Sequence, residues 1–137
     1  MSKSSNAFSV ILFLVFAAVT TFAVAEEPLV HGTWTKKTSS IRGSWSIVEE
    51  NGTRFLILSD DFKTKKAPDL KLFLSPRALS AIDGRNASSD AALIANLKSV
   101  AGGQRYAVPD NIDLTKYSTL LLHCEKYLKV WGGAALR

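Results

Sequence analysis

Cys124 is the single cysteine of the 137-residue chain, and His31 and His123 are its two histidines. A thiol can serve as a nucleophile, a metal ligand or a haem ligand, and its surroundings decide which. Cys124 ends a run, Thr119 to Glu125, that carries three consecutive leucines before His123 and Cys124. Such a continuous apolar run suits a strand buried on both sides. Side chains alternate across a strand, so Leu120, Leu122 and Cys124 share one face while Leu121 and His123 share the other. The two sequence neighbours therefore do not grip one metal, and His123 is badly placed to activate the thiol. Taken alone, a cysteine in such a strand is a small packed core residue.

Other chemistries lack their motifs. Covalent haem attachment needs C-x-x-C-H, which one cysteine cannot supply. Met1 is the only methionine, so after removal of a leader the axial ligands open to haem are Cys124, His123, His31 or a tyrosine. A structural zinc site needs about four ligands, and no spacing here provides them. Hydrolase motifs such as G-x-S-x-G and H-E-x-x-H are absent, as are glycine-rich phosphate loops. Asn51-Gly52-Thr53 and Asn86-Ala87-Ser88 match the N-glycosylation pattern, which matters only in a host that glycosylates exported proteins.

These residues must be carried by one small domain. Lys3, the apolar stretch Phe8 to Val24 and Ala23-Val24-Ala25 have the order of an export leader. The apolar stretch is at the short end for a membrane anchor, which needs about 20 residues. Residues 1–25 are therefore read as a signal peptide and 26–137 as the mature domain, with no membrane span after cleavage. The expected location is exported, either periplasmic or extracellular. A single cysteine excludes an internal disulfide in that oxidising setting, so the core alone must stabilise the domain. The formal net charge of +5 falls by one when Lys3 leaves. That is no nucleic-acid signature, and Lys36, Lys37, Lys63, Lys65 and Lys66 read as a solvated basic face.

Apolar residues of the mature part come in short runs broken by Gly, Pro, Asn and Asp, which favours many short strands. Strands are expected at His31 to Thr38, Ser44 to Glu50, Arg54 to Ser59, Leu70 to Ser75, Gln104 to Val108, Thr119 to Glu125 and Lys129 to Trp131. Asn51-Gly52 suits a two-residue hairpin turn, and Asp113 to Tyr117 suits one helical turn. Leu93, Ile94, Leu97 and Val100 have helical spacing between a cap at Ser89 or Asp90 and Gly102. The alternative for that segment is a strand from Ala92 to Leu97. The fold class is all-β: a single antiparallel β-sandwich or barrel-like domain.

Several short segments, in order, resemble the DM-thirteen domain family. They are Gly43-Ser44-Trp45, Pro68-Asp69-Leu70 with Phe73-Leu74-Ser75, Leu97-Lys98, Gly103 through Pro109, then Cys124, Tyr127, Trp131-Gly132 and Ala134-Ala135-Leu136. The family pattern has an aromatic before its cysteine, where this chain has His123. The resemblance implies a small extracytoplasmic β-rich domain acting in electron transfer or redox modification at cell surfaces. It implies a functional role for Cys124, as a free thiol or as the ligand of a prosthetic group such as haem. It favours the strand over the helix at Ala92 to Leu97. The implied partner is a redox or cell-surface protein. The competing expectation is a non-enzymatic binding module for a glycan or surface protein, in which Cys124 merely packs.

Overall fold

The computed structural model describes residues 11–21 and 27–137. Lys3 and Ala23-Val24-Ala25, which carry two of the three leader features, lie outside the described residues. The strands, in chain order, are β1 (Val30–Thr33), β2 (Thr35–Lys36), β3 (Ile41–Arg42), β4 (Ser44–Glu50), β5 (Thr53–Leu58), β6 (Lys63–Thr64), β7 (Leu70–Ser75), β8 (Ala92–Asn96), β9 (Gln104–Ala107), β10 (Thr119–Cys124) and β11 (Lys129–Ala135). Short 3-10 turns occur at Leu79–Ala81 and Leu114–Lys116. No described helix is long and apolar enough to cross a membrane.

All the named strand pairings are antiparallel. One sheet has the order β1-β4-β5-β9 and a second β2-β11-β10-β7-β8, with a separate β3-β6 ribbon. Inward residues of the two sheets form one core, including Trp45, Ile47, Leu56 and Leu58 from the first and Leu72, Leu74, Leu120, Leu122 and Cys124 from the second. This is the expected all-β, sandwich-like fold. The Asn51-Gly52 hairpin forms as read, with φ of 50° and 82°; both residues tolerate such angles.

Two details differ from the sequence reading. The expected first strand from His31 to Thr38 breaks at Trp34, with β1 joining one sheet and β2 the other. The break lets the Trp34 indole sink into the core near Phe62, at 6.1 Å between ring centroids. The final strand runs on past Trp131 to Ala135, because Gly132 and Gly133 pair with β10 on one side and β2 on the other. Ala92–Asn96 is the strand that the resemblance favours over the helix; its pairing with β7 supplies the partners that helical spacing could not reveal.

The second sheet is covered twice. Its outer face carries Phe73, Leu121 and Val130, which pack with Ile82 and Ala87. The latter two come from a strap, residues 76–91, laid across that face. Asp83 shapes the strap: its carboxylate accepts the backbone N–H groups of Arg85 and Asn86 at 2.8 and 3.0 Å. Those bonds, Asn86 first, hold the Asp83 pKa below its ordinary value. Arg77 fastens one end of the strap to the other, donating to the Ser89 carbonyl and pairing with Asp90. Gly84 lies so close to the β10–β11 turn that a Cβ there would sit 1.5 Å from the Leu128 carbonyl oxygen. The Gly84→Ala protein should therefore lose about 1–3 kcal/mol of unfolding free energy, the usual cost of overpacking, measured by urea denaturation. An unchanged midpoint would mean that the strap is not tightly docked.

Candidate functional site

Cys124 is the last residue of β10 and is unpaired and fully buried. Its strand neighbours are Leu70 on β7 and Lys129 on β11. The Glu125 N–H donates to the Asp69 carbonyl at 3.0 Å, which ties the end of β10 to the start of β7. The alternation expected from sequence is observed: Leu120, Leu122 and Cys124 belong to the core between the sheets, while Leu121 belongs to the core beneath the strap. His123 shares that outer face, fully buried and edge-on to Phe73, with 6.2 Å between ring centroids. Thus His123 and Cys124 stay apart despite being neighbours in sequence. His31 is exposed on β1 in the other sheet.

The feature that no sequence motif announced is a cleft of about 430 Å³ at this end of the sandwich. One wall is residues 66–70, and the other is residues 96–100. Leu70 lines the cleft and is itself 7% exposed. Directly opposed residues of an antiparallel pair have neighbouring side chains on one face, so Leu70, which lines the cleft, is the cross-strand neighbour of Cys124, which does not line it. The far wall is braced. Gln104 accepts from the Ser99 N–H at 3.1 Å and donates to its carbonyl at 2.9 Å. The Tyr106 hydroxyl accepts from the Lys98 N–H at 2.9 Å and donates to Gln104. Burial raises the Tyr106 pKa, so its phenol stays protonated and remains a donor. Trp131 holds the approach to the near wall, its indole N–H donating to the Lys65 carbonyl at 3.2 Å. Pro68-Asp69-Leu70, Leu97-Lys98, Gln104, Tyr106 and Cys124 were scattered in sequence, and the fold gathers them here.

Haem does not fit these residues. The Cys124 side chain is enclosed by core residues with no exposed surface, and it does not line the cleft. His123 points into the other core, and His31 lies on the other sheet. No step is routed through haem. Among the described residues, no group of three or more His, Cys, Asp or Glu side chains is placed to hold a metal ion. The two glycosylation sequons differ in setting: Asn51 is exposed at a hairpin tip, whereas the Asn86 amide is occupied, donating to the Ala81 carbonyl and accepting from the Asp83 N–H.

His123 was not expected to be unpartnered. Neither ring nitrogen has a hydrogen-bond partner, and such a group is expensive to bury. Burial pushes its pKa below the ordinary histidine value. The Lys129 backbone pulls the other way without reaching hydrogen-bond geometry, as do Glu125 and Asp69, while Lys71 adds to the lowering. Lys71 itself pairs with Glu125 and, at 3.6 Å, with Asp69. Below the unfolded pKa of about 6.5 the unfolded chain binds a proton that the folded chain refuses. Stability attributable to His123 is therefore complete above that pH and falls as pH drops towards the folded pKa. One proton sets a ceiling of about 1.4 kcal/mol per pH unit. Urea denaturation across this pH range should show stability falling as pH drops in the parent protein, by no more than that ceiling for this group, and a shallower fall in His123→Leu; equal slopes would count against a buried neutral imidazole.

The geometry can be set beside known proteins. No curated protein and no solved structure matches this chain. The family described as Electron transfer DM13 matches residues 33–136, which include every strand from β2 to β11, the cleft and Cys124. By that match, the chain belongs to the DM-thirteen electron-transfer family.

Proposed function

We propose that the protein is an exported electron-transfer domain whose redox centre is the Cys124 thiol, reached through the cleft behind Leu70. The observation that carries this reading is the convergence at one end of the sandwich. The two cleft walls, their Gln104 and Tyr106 braces on β9 and the cysteine come from four separate stretches of chain. A cysteine needed only as filler does not call for a braced cleft one side chain away. Export is supported by the leader pattern and by Ile11 to Phe16 and Val19, which are all exposed and add nothing to the core. If the reading is right, the exported protein should begin at or near Glu26, as amino-terminal sequencing would show; an intact leader would count against it.

The chemistry available to one thiol is exchange with a disulfide on a partner protein. Cys124 loses its proton and the thiolate attacks one sulfur of the partner's disulfide. A bond forms from Sγ to that sulfur as the partner's S–S bond breaks, and the departing sulfur takes up a proton. Cys124 is oxidised to the mixed disulfide, and the partner sulfur that leaves is reduced. With no second cysteine in the chain, a thiol from outside must resolve the intermediate.

The second reading is a non-enzymatic binding module with a structural cysteine, and it is favoured by the zero exposure of Cys124. Leu70→Ala separates the two. Leu74 lies on the same strand, is fully buried and is absent from the cleft lining, so Leu74→Ala is the matched control. Each substitution should cost about 2–5 kcal/mol. A gated thiol should react with a small methanethiosulfonate about tenfold or more faster in Leu70→Ala than in Leu74→Ala, compared at equal unfolding free energy. Equal rates, or labelling only on global unfolding, would establish the structural reading.

A further inference from the structure

The β3-β6 ribbon brings together cations that are far apart in sequence. Arg42 and Lys63 are directly opposed across it, and both are exposed. Like charges facing each other across a strand pair are destabilising. Lys65, just past β6, is exposed and lines the same groove as Lys63. Lys36 is one strand away: it pairs with Gly132, whose Cα is overlain by Ile41 of β3, so that a Cβ there would meet Ile41 Cγ2 at 2.8 Å. Lys66 continues towards the cleft. Among the described residues none of Lys36, Arg42, Lys63, Lys65 and Lys66 makes an ion pair, although Lys71, Arg77 and Arg105 all do.

The backbone beneath these cations is fixed. The Thr64 hydroxyl donates to the Ser40 carbonyl at 2.8 Å, and its N–H donates to the Val100 carbonyl at 2.8 Å. The Lys65 carbonyl is held by Trp131 at 3.2 Å. A groove of about 390 Å³ runs along the ribbon, lined by Ser40, Ile41, Arg42, Lys63, Thr64 and Lys65. Repulsion is thus retained on a rigid frame, which lowers the ordering cost of binding an anion.

We infer that this ribbon is a docking site for an acidic polysaccharide, one bearing carboxylate or sulfate groups. Cations beside the exposed hydroxyl-bearing Ser40 in a groove suit a hydroxyl-rich, negatively charged chain. A lipid surface is the poorer fit. Membrane-surface binding uses large apolar side chains beside the cations, and the exposed Leu93, Tyr127 and Leu128 belong to β8 and the β10–β11 turn. Single-stranded nucleic acid is disfavoured because the groove lining has no aromatic for base stacking. The site stands independently of the role of Cys124.

The test measures binding of the full chain to polygalacturonate and heparin. Affinity should fall as salt rises from about 50 to 200 mM. Arg42→Gln/Lys63→Gln should weaken it by about tenfold with an unchanged or raised Tm, because a repulsive pair is removed. Lys116→Gln/Lys126→Gln makes the same change in net charge at exposed sites elsewhere and should leave affinity within about twofold. Independently of any variant, bound polysaccharide should protect Lys63 and Lys65, but not Lys116 and Lys126, from acetylation. No binding, equal losses in the two variants, uniform protection, or stronger binding to anionic vesicles or single-stranded DNA would each overturn the proposal.

Discussion

The structure depends on β10 being buried on both faces. All six of its residues, Thr119 to Cys124, are buried. A central strand with that pattern needs a cover on each side, and the chain supplies two different covers. The first sheet closes the inner face, and the strap of residues 76–91 closes the outer one. Backbone pairing to β7 and β11 satisfies the polar groups that double burial removes from water. The same constraint separates the two reactive side chains. Period-two alternation sends Cys124 to the thick inner core and His123 to the thin outer one, so they cannot act as a pair.

Position along the strand matters as much as face. Had the cysteine replaced Leu120, it would lie opposite Leu74, deep between the sheets. Placed at the end of β10, it lies opposite Leu70, a leucine that lines a cleft. The energy scale of that barrier decides whether a buried thiol can react. Exposing one leucine costs about 1.5–3 kcal/mol, well below a typical domain stability of about 5–15 kcal/mol. Local opening at Leu70 would then populate an accessible state at roughly 1%, whereas reaching a mid-strand cysteine would require far more of the core to open. Zero exposure in the closed form and reactivity in solution are therefore compatible.

The strands were legible where local pattern and long-range pairing agree. Thr119–Cys124, Leu70–Ser75 and the Ser44–Leu58 hairpin carry runs, breakers and a turn that all point one way. Facing of Cys124 and His123 followed from alternation alone. Residues 92–100 misled the pattern because a strand followed by a loop placed Leu93, Ile94, Leu97 and Val100 at helical intervals; pairing with β7, invisible locally, decides the outcome. The split at Trp34 was hidden for a similar reason, since nothing in that run marks a change of sheet. The cleft could not be read at all. Its walls are loops, and the side chains bracing them, Gln104 and Tyr106, act across the fold. The resemblance did contain a signal, in that it named most of those segments without saying that they meet.

Charge placement follows from the same topology. At the cleft end, Lys71 is flanked by Asp69 and Glu125, and on the first sheet Arg105 pairs with Glu50 while lying over Phe55. Exposed pairs of this kind contribute only about 0–1 kcal/mol, so their main effect is to leave little local field. The ribbon behaves oppositely. Its two-residue strands offer little pairing energy to offset the repulsion of Arg42 and Lys63, and its attachment to the body rests on Ile41 over Gly132, Thr64 and the Trp131 bond to Lys65. Trp131 thus serves both ends of the arrangement, because the residues it fixes lead directly into Lys66 and the cleft wall. The segment from Lys63 to Leu70 thus carries first the charged ribbon and then the near wall of the cleft, which is why one indole hydrogen bond steadies both.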